Sequence, residues 1–456
     1  MTTLSRTTGT PTLGTKFTCS GWFKFSDFPN GGGSDRWLFG EYTDSSNHSY
    51  LYLRNTSAIG WYEKASGSVV VSKITNQFLK DTSGWFHIMV AFDTTDGTAE
   101  DRFKLYINGN RVSDWGTSTN TYGSSATPRL NASGNTFYIG KATGYGSAQD
   151  FNGYISHLHF CDGTALAQSV FGETDSDTGI WKIKTAPSFT PGNNGFTILK
   201  DDNTITDQSA NSNNFTLAAG SINKSEDCPS NVFATLDPLV GPSSNKPTFT
   251  FGGNKVVTST GGNFGGCSTL GANKGKYYFE VKFSAESTSN MGNISLSSSS
   301  NARESARTNQ HANQHSAAYP SLTYEMDGSV YIDSSGSASG NWGSFSTGDI
   351  IMLAMDLDNS KAYFGKNGTW GNSGDPTSGS TGTGAAAISA NEDYWHLALG
   401  DRNSSNTATY EVNFGNGYFG STAVSSAGTN ASGFGVFEYD VPTGYTALCT
   451  KGINSF

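Results

Sequence analysis

Three acidic residues at alternate positions are the first feature of the sequence that could do chemistry. The stretch FGETDSDTGIWK, residues 171–182, contains Glu173, Asp175 and Asp177. On an extended strand these carboxylates would share one face, and retaining glycosidases cleave sugars with two carboxyls about 5–5.5 Å apart. Asp177 reaches less far than a glutamate, however, and Asp-Thr-Gly is typical of a turn that would end the alternation. We therefore expect a solvated acidic turn anchored by Trp181, and a protein that is not an enzyme.

Two further sets of residues are candidates for metal binding. His311 and His315 would face the same way only on a helix, whereas their polar, serine-rich surroundings favour a loop without further zinc ligands. Calcium takes about six to eight oxygen ligands, and aspartates crowd the loops of the first half of the chain. The calcium candidates are Asp93, Asp96, Asp175 and Asp177, with Asp101 close by. Ordinary turn aspartates are the simpler interpretation, so we expect no cofactor, with calcium as the one candidate ion.

Sugar binding without cleavage requires exposed aromatic rings with hydrogen-bonding groups around them. Several aromatic residues occur in polar, glycine-rich or serine-rich surroundings and are candidates as a group. They are Trp61, Tyr62, Trp115, Tyr122, Tyr145, Tyr319, Trp342 and Trp370. The alternative for each is packing or an interface contact, where large aromatic residues are common.

The elements that must hold these residues are strands. Period-2 alternation recurs along the chain, as in KFTCSGWFKF and in DRFKLYINGNRV, where Asn108-Gly109 is a strong hairpin signal. The stretch IIMLAMDLDNSKAYFGKNGTW, from residue 350, shows the same pattern of alternating strands joined by turns, here at 358–359 and 367–368. No helical periodicity longer than about two turns is evident. In ISHLHF, His157 and His159 alternate with apolar residues and should lie on the more solvated strand face.

Composition limits the classes of partner. Only 14% of the residues are charged and the net charge is −10, without a basic cluster, which disfavours nucleic acid. The longest apolar run, IIMLAM, is too short to insert into a membrane, and the N-terminus has no apolar core of a signal peptide. The five scattered cysteines indicate free thiols formed in a reducing cytoplasm.

The middle of the chain indicates a boundary. SEDCPSNVFATLDPLVGPSSNKP, residues 225–247, is rich in proline and shows little alternation. The sequence therefore predicts an all-β protein with two β-sandwich (jelly-roll) domains joined by a Pro-containing extended linker. We expect the first sandwich at 1–222, the linker at 223–247 and the second sandwich at 248–456.

Both halves resemble known modules. FTCSGWFKF, SGWFHIMVAFDTTDGTAEDRFKLYINGNRV and FNGYISHLHFCDGTAL resemble the laminin-G-like, concanavalin-A-like jelly rolls found in marine phage virion proteins, and FGETDSDTGIWKIK belongs to the same pattern. GKYYFEVKF, GDIIMLAMDLDNSKAYFGKNGTWGNSGDP and YEVNFGNGYF resemble a SPRY (B30.2-like) sandwich. The pairing is similar to phage structural proteins of the tail-fibre or virion-surface type, although no anchoring domain or shaft is evident.

This resemblance implies a location on the virion, after synthesis in the host cytoplasm, and a role in binding. The implied partners are other virion proteins and a host surface glycan or protein, with self-association into a homo-oligomer. Two alternatives remain open: a purely structural head or tail decoration protein, and a polysaccharide depolymerase. A cellular lectin-like protein is less favoured, because such a lectin would need an export signal.

Overall fold

A computed structural model describes residues 2–28, 34–141, 149–201, 204–287, 291–312, 319–333, 339–389 and 393–456. The chain forms two compact units, Met1–Lys224 and Ser225–Phe456. Both are β-sandwiches, which confirms the predicted all-β class. No helix in the described ranges is long and apolar enough to cross a membrane.

The first unit consists of strands joined by turns and short loops. In chain order they are β1 (Thr3–Thr7), β2 (Lys16–Phe25), β3 (Arg36–Asp44), β4 (Asn47–Leu53), β5 (Ala58–Ala65), β6 (Ser68–Phe78), β7 (Phe86–Asp93), β8 (Phe103–Ile107), β9 (Asn110–Arg111), β10 (Trp115–Asn120), β11 (Thr136–Ile139), β12 (Gly153–Asp162), β13 (Gly172–Thr174), β14 (Trp181–Ile183), β15 (Phe196–Ile198) and β16 (Thr216–Ala219).

Two antiparallel sheets enclose the core of this unit. The larger sheet has eight strands in the order β10-β6-β5-β4-β3-β11-β1-β16, and the smaller has six in the order β15-β12-β2-β7-β8-β9. Rings from both sheets meet between them: Trp61 of the larger sheet lies 5.2 Å from Phe92 of the smaller one, centroid to centroid. Burying a large apolar side chain contributes about 1.5–3 kcal/mol, so this aromatic core stabilises the sandwich.

The predicted Asn-Gly turns are observed in both units. Asn108 and Gly109 have φ angles of 47° and 76° between β8 and β9. Asn367 and Gly368, in the second unit, have φ angles of 50° and 86°. A left-handed backbone at both central positions matches the twist of the flanking strands, which is why this dipeptide predicts hairpins well.

The second unit has its own strands and two helices. They are β17 (Thr248–Thr250), β18 (Lys255–Val257), β19 (Phe264–Cys267), β20 (Lys276–Glu286), β21 (Gly292–Ser298), α1 (Ser299–Thr308), β22 (Ser321–Glu325), β23 (Ser329–Ile332), β24 (Gly340–Asn341), β25 (Ile350–Asp356), β26 (Lys361–Lys366), β27 (Thr369–Trp370), β28 (Ala386–Ala387), β29 (Trp395–Asp401), β30 (Ala408–Asn413), β31 (Tyr418–Phe419), β32 (Thr422–Ala423), β33 (Thr446–Ala447) and α2 (Thr450–Ile453).

These strands also form two main sheets. One follows the order β17-β18-β30-β20-β25-β26-β27, with β28 paired to β26 and β33 paired to β20. The other follows β19-β29-β21-β22-β23-β24. The proline-rich segment from Ser225 onward is part of this unit, because Ala234 and Leu236 lie in its core and Phe233 forms a bridge with Cys449.

Helix α1 is an element that the sequence patterns did not predict. Its first turn is capped by the Ser298 hydroxyl, which accepts a hydrogen bond from the Asn301 backbone, and it ends at Asn309 with a φ of 56°. The side of the helix that faces the protein consists of small and polar residues, Asn301, Ala302, Ser305 and Ala306. An amphipathic pattern of large apolar residues was therefore absent, although the capping serine was visible.

Candidate functional site

The outer face of the eight-stranded sheet is unusually aromatic. Along β4 the side chains alternate: Leu51 and Leu53 join the core, whereas His48, Tyr50 and Tyr52 lie on the opposite face. An antiparallel sheet with one solvated face normally presents polar residues there. Tyr50 is partly exposed there, while His48 and Tyr52 are buried. A partly exposed aromatic ring on such a face is more informative than an ordinary surface residue.

Strand register aligns three tyrosines across this face. Tyr62 of β5 is opposite Tyr50 of β4, Tyr50 is opposite Gly40 of β3, and Gly40 is opposite Tyr138 of β11. We call Tyr62, Tyr50, Gly40 and Tyr138 the tyrosine row. Hydroxyl-bearing residues continue it to both edges of the sheet: Ser72 and Thr119 beyond Tyr62, and Ser5 and Thr216 beyond Tyr138. Adjacent strands lie about 4.8 Å apart, so the four row positions extend over about 14 Å.

Buried rings stack against two of the partly exposed ones. Trp37 stacks on Tyr50 with 4.0 Å between ring centroids, and His48 stacks on Tyr62 at 5.6 Å. Trp37 and His48 are almost fully buried, whereas Tyr50, Tyr62 and Tyr138 are half-buried. Tyr50 and Tyr62 are thus packed against buried rings, and all three tyrosines are partly exposed.

Two glycines mark close approaches between these strands. A side-chain carbon at Gly60 would lie 2.5 Å from the Tyr52 ring, whereas one at Gly40 would meet the backbone oxygen of Ser49 and Cβ of Tyr50. Both glycines sit within strands, where glycine normally weakens a sheet and marks a close approach.

The tyrosine row itself is uncharged, and Lys64 is the strand partner of His48 on the same face. The His48 ring donates from Nδ1 to the Asp44 carbonyl at 3.1 Å, and burial lowers the pKa of His48. A neutral imidazole beside three phenol rings suits a ligand with apolar C–H faces and uncharged hydroxyls better than an ion.

On the other face of the same strands lies a buried acid pair. Glu41 and Glu63 point inward on either side of Ser49, and both are at most 1% exposed. Arg129 forms an ion pair with Glu41, and its backbone N–H donates to Glu63 at 3.2 Å. Burial raises the pKa of Glu63 to about 7. These carboxylates are buried and cannot reach a ligand on the outer face.

The predicted aromatic residues do not form one site. Trp61 and Tyr122 are buried in the core of the first unit and present no exposed ring to a ligand. Tyr62 lies on the aromatic face, and half-buried Trp115 packs against the buried Lys73 ammonium at 5.1 Å.

The candidates of the second unit are half-buried and make separate contacts. The Trp342 indole donates to the Gly384 carbonyl, and the Trp370 ring packs on Tyr278. The backbone carbonyl of Tyr319 accepts a hydrogen bond from the Asn301 side chain. Tyr145 lies outside the described residues.

Tyr50 and Tyr138 were missed by sequence reasoning. HSYLYL does contain the signal, since aromatic residues occupy the positions that alternate with Leu51 and Leu53. Their alignment with Tyr62 depends on strand order and register, which no local pattern specifies.

Two of the candidate calcium ligands, Asp93 and Asp96, form ion pairs with lysines. Asp93 pairs with Lys16 at 2.8 Å, and Asp96 pairs with Lys104 at 3.5 Å. In the part of the chain that the structure describes, no three His, Cys, Asp or Glu side chains come together to hold a metal ion. The described residues therefore do not assemble the calcium site suggested by the sequence, nor a zinc site at His311, which is buried; His315 lies outside the described ranges.

The three acidic residues of the stretch 171–182 lie in and beside a turn. Strand β13 ends at Thr174, so Glu173, Asp175 and Asp177 do not share a strand face. Asp175 accepts hydrogen bonds from the Thr178 and Asp177 backbones at 3.0 and 3.1 Å, and the bonds from Thr178 above all lower its pKa to about 2. Lys182 lies 3.4 Å from Glu173 and 3.3 Å from Asp175. A glycosidase acid needs a raised pKa, which the turn does not provide for Asp175.

The hairpin of β13 and β14 covers part of the six-stranded sheet. Trp181 donates from its indole nitrogen to Nδ1 of His87 at 3.1 Å, consistent with its expected anchoring role. His159 stacks on Phe171 at 5.5 Å, and both His157 and His159 are buried. The expectation that they lie on a solvated face is wrong, because the segment after β12 packs over them.

The comparisons with known proteins agree with this architecture in the first unit. Residues 3–171 match the family model described as the concanavalin A-like lectin/glucanases superfamily, of the laminin G type. The sandwich defined by the two sheets and this match therefore has a concanavalin A-like lectin fold. No curated protein matches the sequence.

Solved structures are similar to the chain only at low TM-scores. The SPRY domain of human HERC1 has 17% identity and a TM-score of 0.30, covering 39% of this chain and 96% of that domain. A pentraxin from Limulus polyphemus has 17% identity and a TM-score of 0.28, covering 37% of this chain and 72% of its own. Domains LG4-5 of the mouse laminin α1 chain have 8% identity and a TM-score of 0.29, covering 98% and 85%. At these values the similarity supports no functional conclusion, and the SPRY assignment of the second half stays a prediction.

Proposed function

We propose that this chain is a non-catalytic adhesion protein of a phage virion surface, and that the tyrosine row of its first unit holds an uncharged, extended host glycan. The observation that carries the binding role is the alignment of Tyr62, Tyr50 and Tyr138 across one sheet face. The placement on a virion rests on the sequence resemblance of both halves, and so do the proposed contacts with other virion subunits and the homo-oligomeric state.

The chemistry of the face supports a sugar chain as the ligand. Sugar rings present C–H faces that pack on aromatic rings, and their hydroxyls require hydrogen-bonding neighbours. The row supplies rings in the middle and hydroxyl side chains, such as Ser72 and Ser5, at both sides. Each contact is weak, and many copies on one particle would multiply the apparent affinity by about 10²–10⁴ where geometry allows.

The direct test uses the purified chain and surface polysaccharide of host cells. The double variant Tyr50→Ala, Tyr62→Ala should lose retention on immobilised polysaccharide. Tyr394→Ala, which removes a 52% exposed tyrosine of the second unit, should be retained like the wild type. Equal retention of both variants would contradict the proposal.

The two alternatives predict different outcomes. A purely structural decoration protein would not compete with phage for adsorption to host cells, whereas an adhesion protein should. A depolymerase would release new reducing ends from the polysaccharide, and Glu173→Gln would abolish that release if the acidic turn were catalytic.

A further inference from the structure

The segment after β12 covers a face of the six-stranded sheet that carries buried histidines. We call residues 163–191 the cover segment; it contains the β13–β14 hairpin. Phe171 of this segment stacks on His159 with 5.5 Å between ring centroids. Trp181 stacks on His87 at 5.8 Å. We infer that the cover segment opens in acid: it stays closed while the imidazoles of His87 and His159 are neutral and is released when they are protonated.

The hydrogen bonds of His87 require a neutral ring in the closed state. The Trp181 indole nitrogen donates to Nδ1 at 3.1 Å, and an indole N–H is a donor only. Nδ1 therefore presents its lone pair, while Nε2 lies 2.8 Å from the Ser20 hydroxyl. Protonation of Nδ1 would place two N–H groups against each other, so it would break a bond that holds the hairpin to the sheet.

His159 is buried against aromatic rings of the cover segment. The centroids of Phe171 and Phe189 lie 5.5 and 5.8 Å from that of its imidazole, which is 3% exposed. Its Nδ1 contacts the Thr197 hydroxyl at 2.9 Å. Among the described residues, no carboxylate forms a hydrogen bond or ion pair with this ring or with that of His87. A positive charge on either ring would therefore be buried without a counter-ion.

The groups around the two histidines do not offset such a charge. Burial lowers the pKa of His87 to about 3. Burial, and after it the neighbouring His157, lowers the pKa of His159 to about 3, and Lys200 acts in the same direction. Asp201 raises the pKa of His157 instead. The other titratable or charged groups on the elements packed here are Lys24 of β2, Tyr106 of β8, Tyr154 and Cys161 of β12, Asp207 after β15, and Glu173, Asp175, Lys182 and Lys184 of the hairpin. Those of the hairpin pair with one another.

The packing beneath the cover segment allows it to open without the sheet coming apart. Strands β13 and β14 form a two-stranded sheet of their own, so they contribute no strand to the six-stranded sheet. Met89 and Ala91 of β7 are buried together with Phe171, and Leu166 packs against them. This apolar burial favours the closed state at neutral pH, and opening would expose it to solvent.

The direction of the pH effect follows from the two pKa values. A released histidine returns toward its ordinary pKa of 6.5, whereas in the closed state the value is about 3. The closed state is therefore fully favoured above pH 6.5 and is lost as the pH falls. Each histidine exposed by opening should raise the open-to-closed ratio about tenfold for every pH unit below 6.5. Two histidines give a rise of about 10⁴-fold between pH 7 and pH 4.5.

Hydrogen exchange of the full chain, followed by mass spectrometry and corrected for the intrinsic rate at each pH, tests the inference. Peptides from the cover segment should exchange at least about tenfold faster at pH 4.5 than at pH 7, while those from β3 to β6 keep their protection. The double variant His87→Gln, His159→Gln should lose this acid response. Trp181→Phe, which keeps a ring but removes the donor to Nδ1, should weaken it. His48→Gln, at a buried histidine of the eight-stranded sheet, is the matched control and should respond as the wild type does.

Three results would overturn the inference. They are equal protection of the cover segment at both pH values, an acid response that survives in the double variant or vanishes in His48→Gln, and a loss of protection that includes β3 to β6. Thermal unfolding verifies that each variant is folded; if the double variant is not, an undiminished response in Trp181→Phe decides against the inference. The tyrosine row lies on the other sheet, so acid response and polysaccharide retention can fail separately.

Discussion

Trp61 and Tyr62 are consecutive residues of β5 whose rings lie on opposite faces of one sheet. Trp61 is fully buried and lies 5.2 Å from Phe92 in the core. Tyr62 is half-buried and lies 5.7 Å from Tyr50 on the outer face. Strand alternation thus places one ring of the pair in the core and the other on the outer face.

Trp61→Ala should destabilise the first unit strongly. Removing a large core ring leaves a cavity and costs about 3–5 kcal/mol, so the unfolding midpoint in urea should fall clearly. Tyr62→Ala removes a half-exposed ring and should change the midpoint much less. Equal shifts for the two variants would mean that the faces of β5 are assigned incorrectly.

The buried acid pair should make stability depend on pH. The pKa of Glu63 rises from 4.5 to about 7 on folding because of burial. Between these values the folded chain keeps a proton that the unfolded chain has released, so the free energy of unfolding should fall as pH rises through this window. The loss attributable to Glu63 is complete about one pH unit above 7 and amounts to about 3 kcal/mol.

Glu63→Gln should remove that part of the pH dependence and stabilise the protein at pH 8. Glu173→Gln, at an exposed position, is the control and should leave the profile unchanged. Denaturant unfolding of the three proteins from pH 4 to 8 measures the effect. A profile for Glu63→Gln that parallels the wild type would show that Glu63 does not gain a proton on folding.

Removing Trp181 should expose His87. The indole N–H donates to Nδ1, so Nε2 carries the ring hydrogen and donates to the Ser20 hydroxyl at 2.8 Å. Burial lowers the pKa of His87 to about 3. In Trp181→Ala this pKa should move back toward 6.5, as followed by NMR of the imidazole, whereas Ile180→Ala at the exposed neighbour should not move it. An unchanged pKa in Trp181→Ala would show that the hairpin does not keep water from His87.

Much of the fold could be predicted from local patterns, and the site could be predicted only in part. Alternation and the Asn108-Gly109 turn indicated strands and hairpins because these depend on neighbouring residues. Helix α1 was missed because its buried face uses Ala302 and Ser305 rather than large apolar residues. The tyrosine row joins β5, β4, β3 and β11, and such long-range register is set by the whole sandwich.

The burial of individual aromatic residues was equally hard to predict. Trp61 and Tyr122 have polar or glycine-rich neighbours in sequence, yet both point into the core. His157 and His159 are covered by the segment after β12, which only the folded chain brings over them. Side-chain exposure depends on such covering segments. Strand periodicity predicts which face a residue lies on, but not whether another segment covers that face.

The most direct test of the account is a calorimetric titration of the purified chain with neutral oligosaccharides of increasing length. Affinity should rise with length until the chain covers the tyrosine row, about 14 Å at the usual strand spacing, and then level off. Tyr50→Ala should weaken the longer ligands about tenfold, while Tyr394→Ala should bind as the wild type does. Affinity that is independent of length and unaffected by Tyr50→Ala would contradict the claim that this face binds an extended glycan.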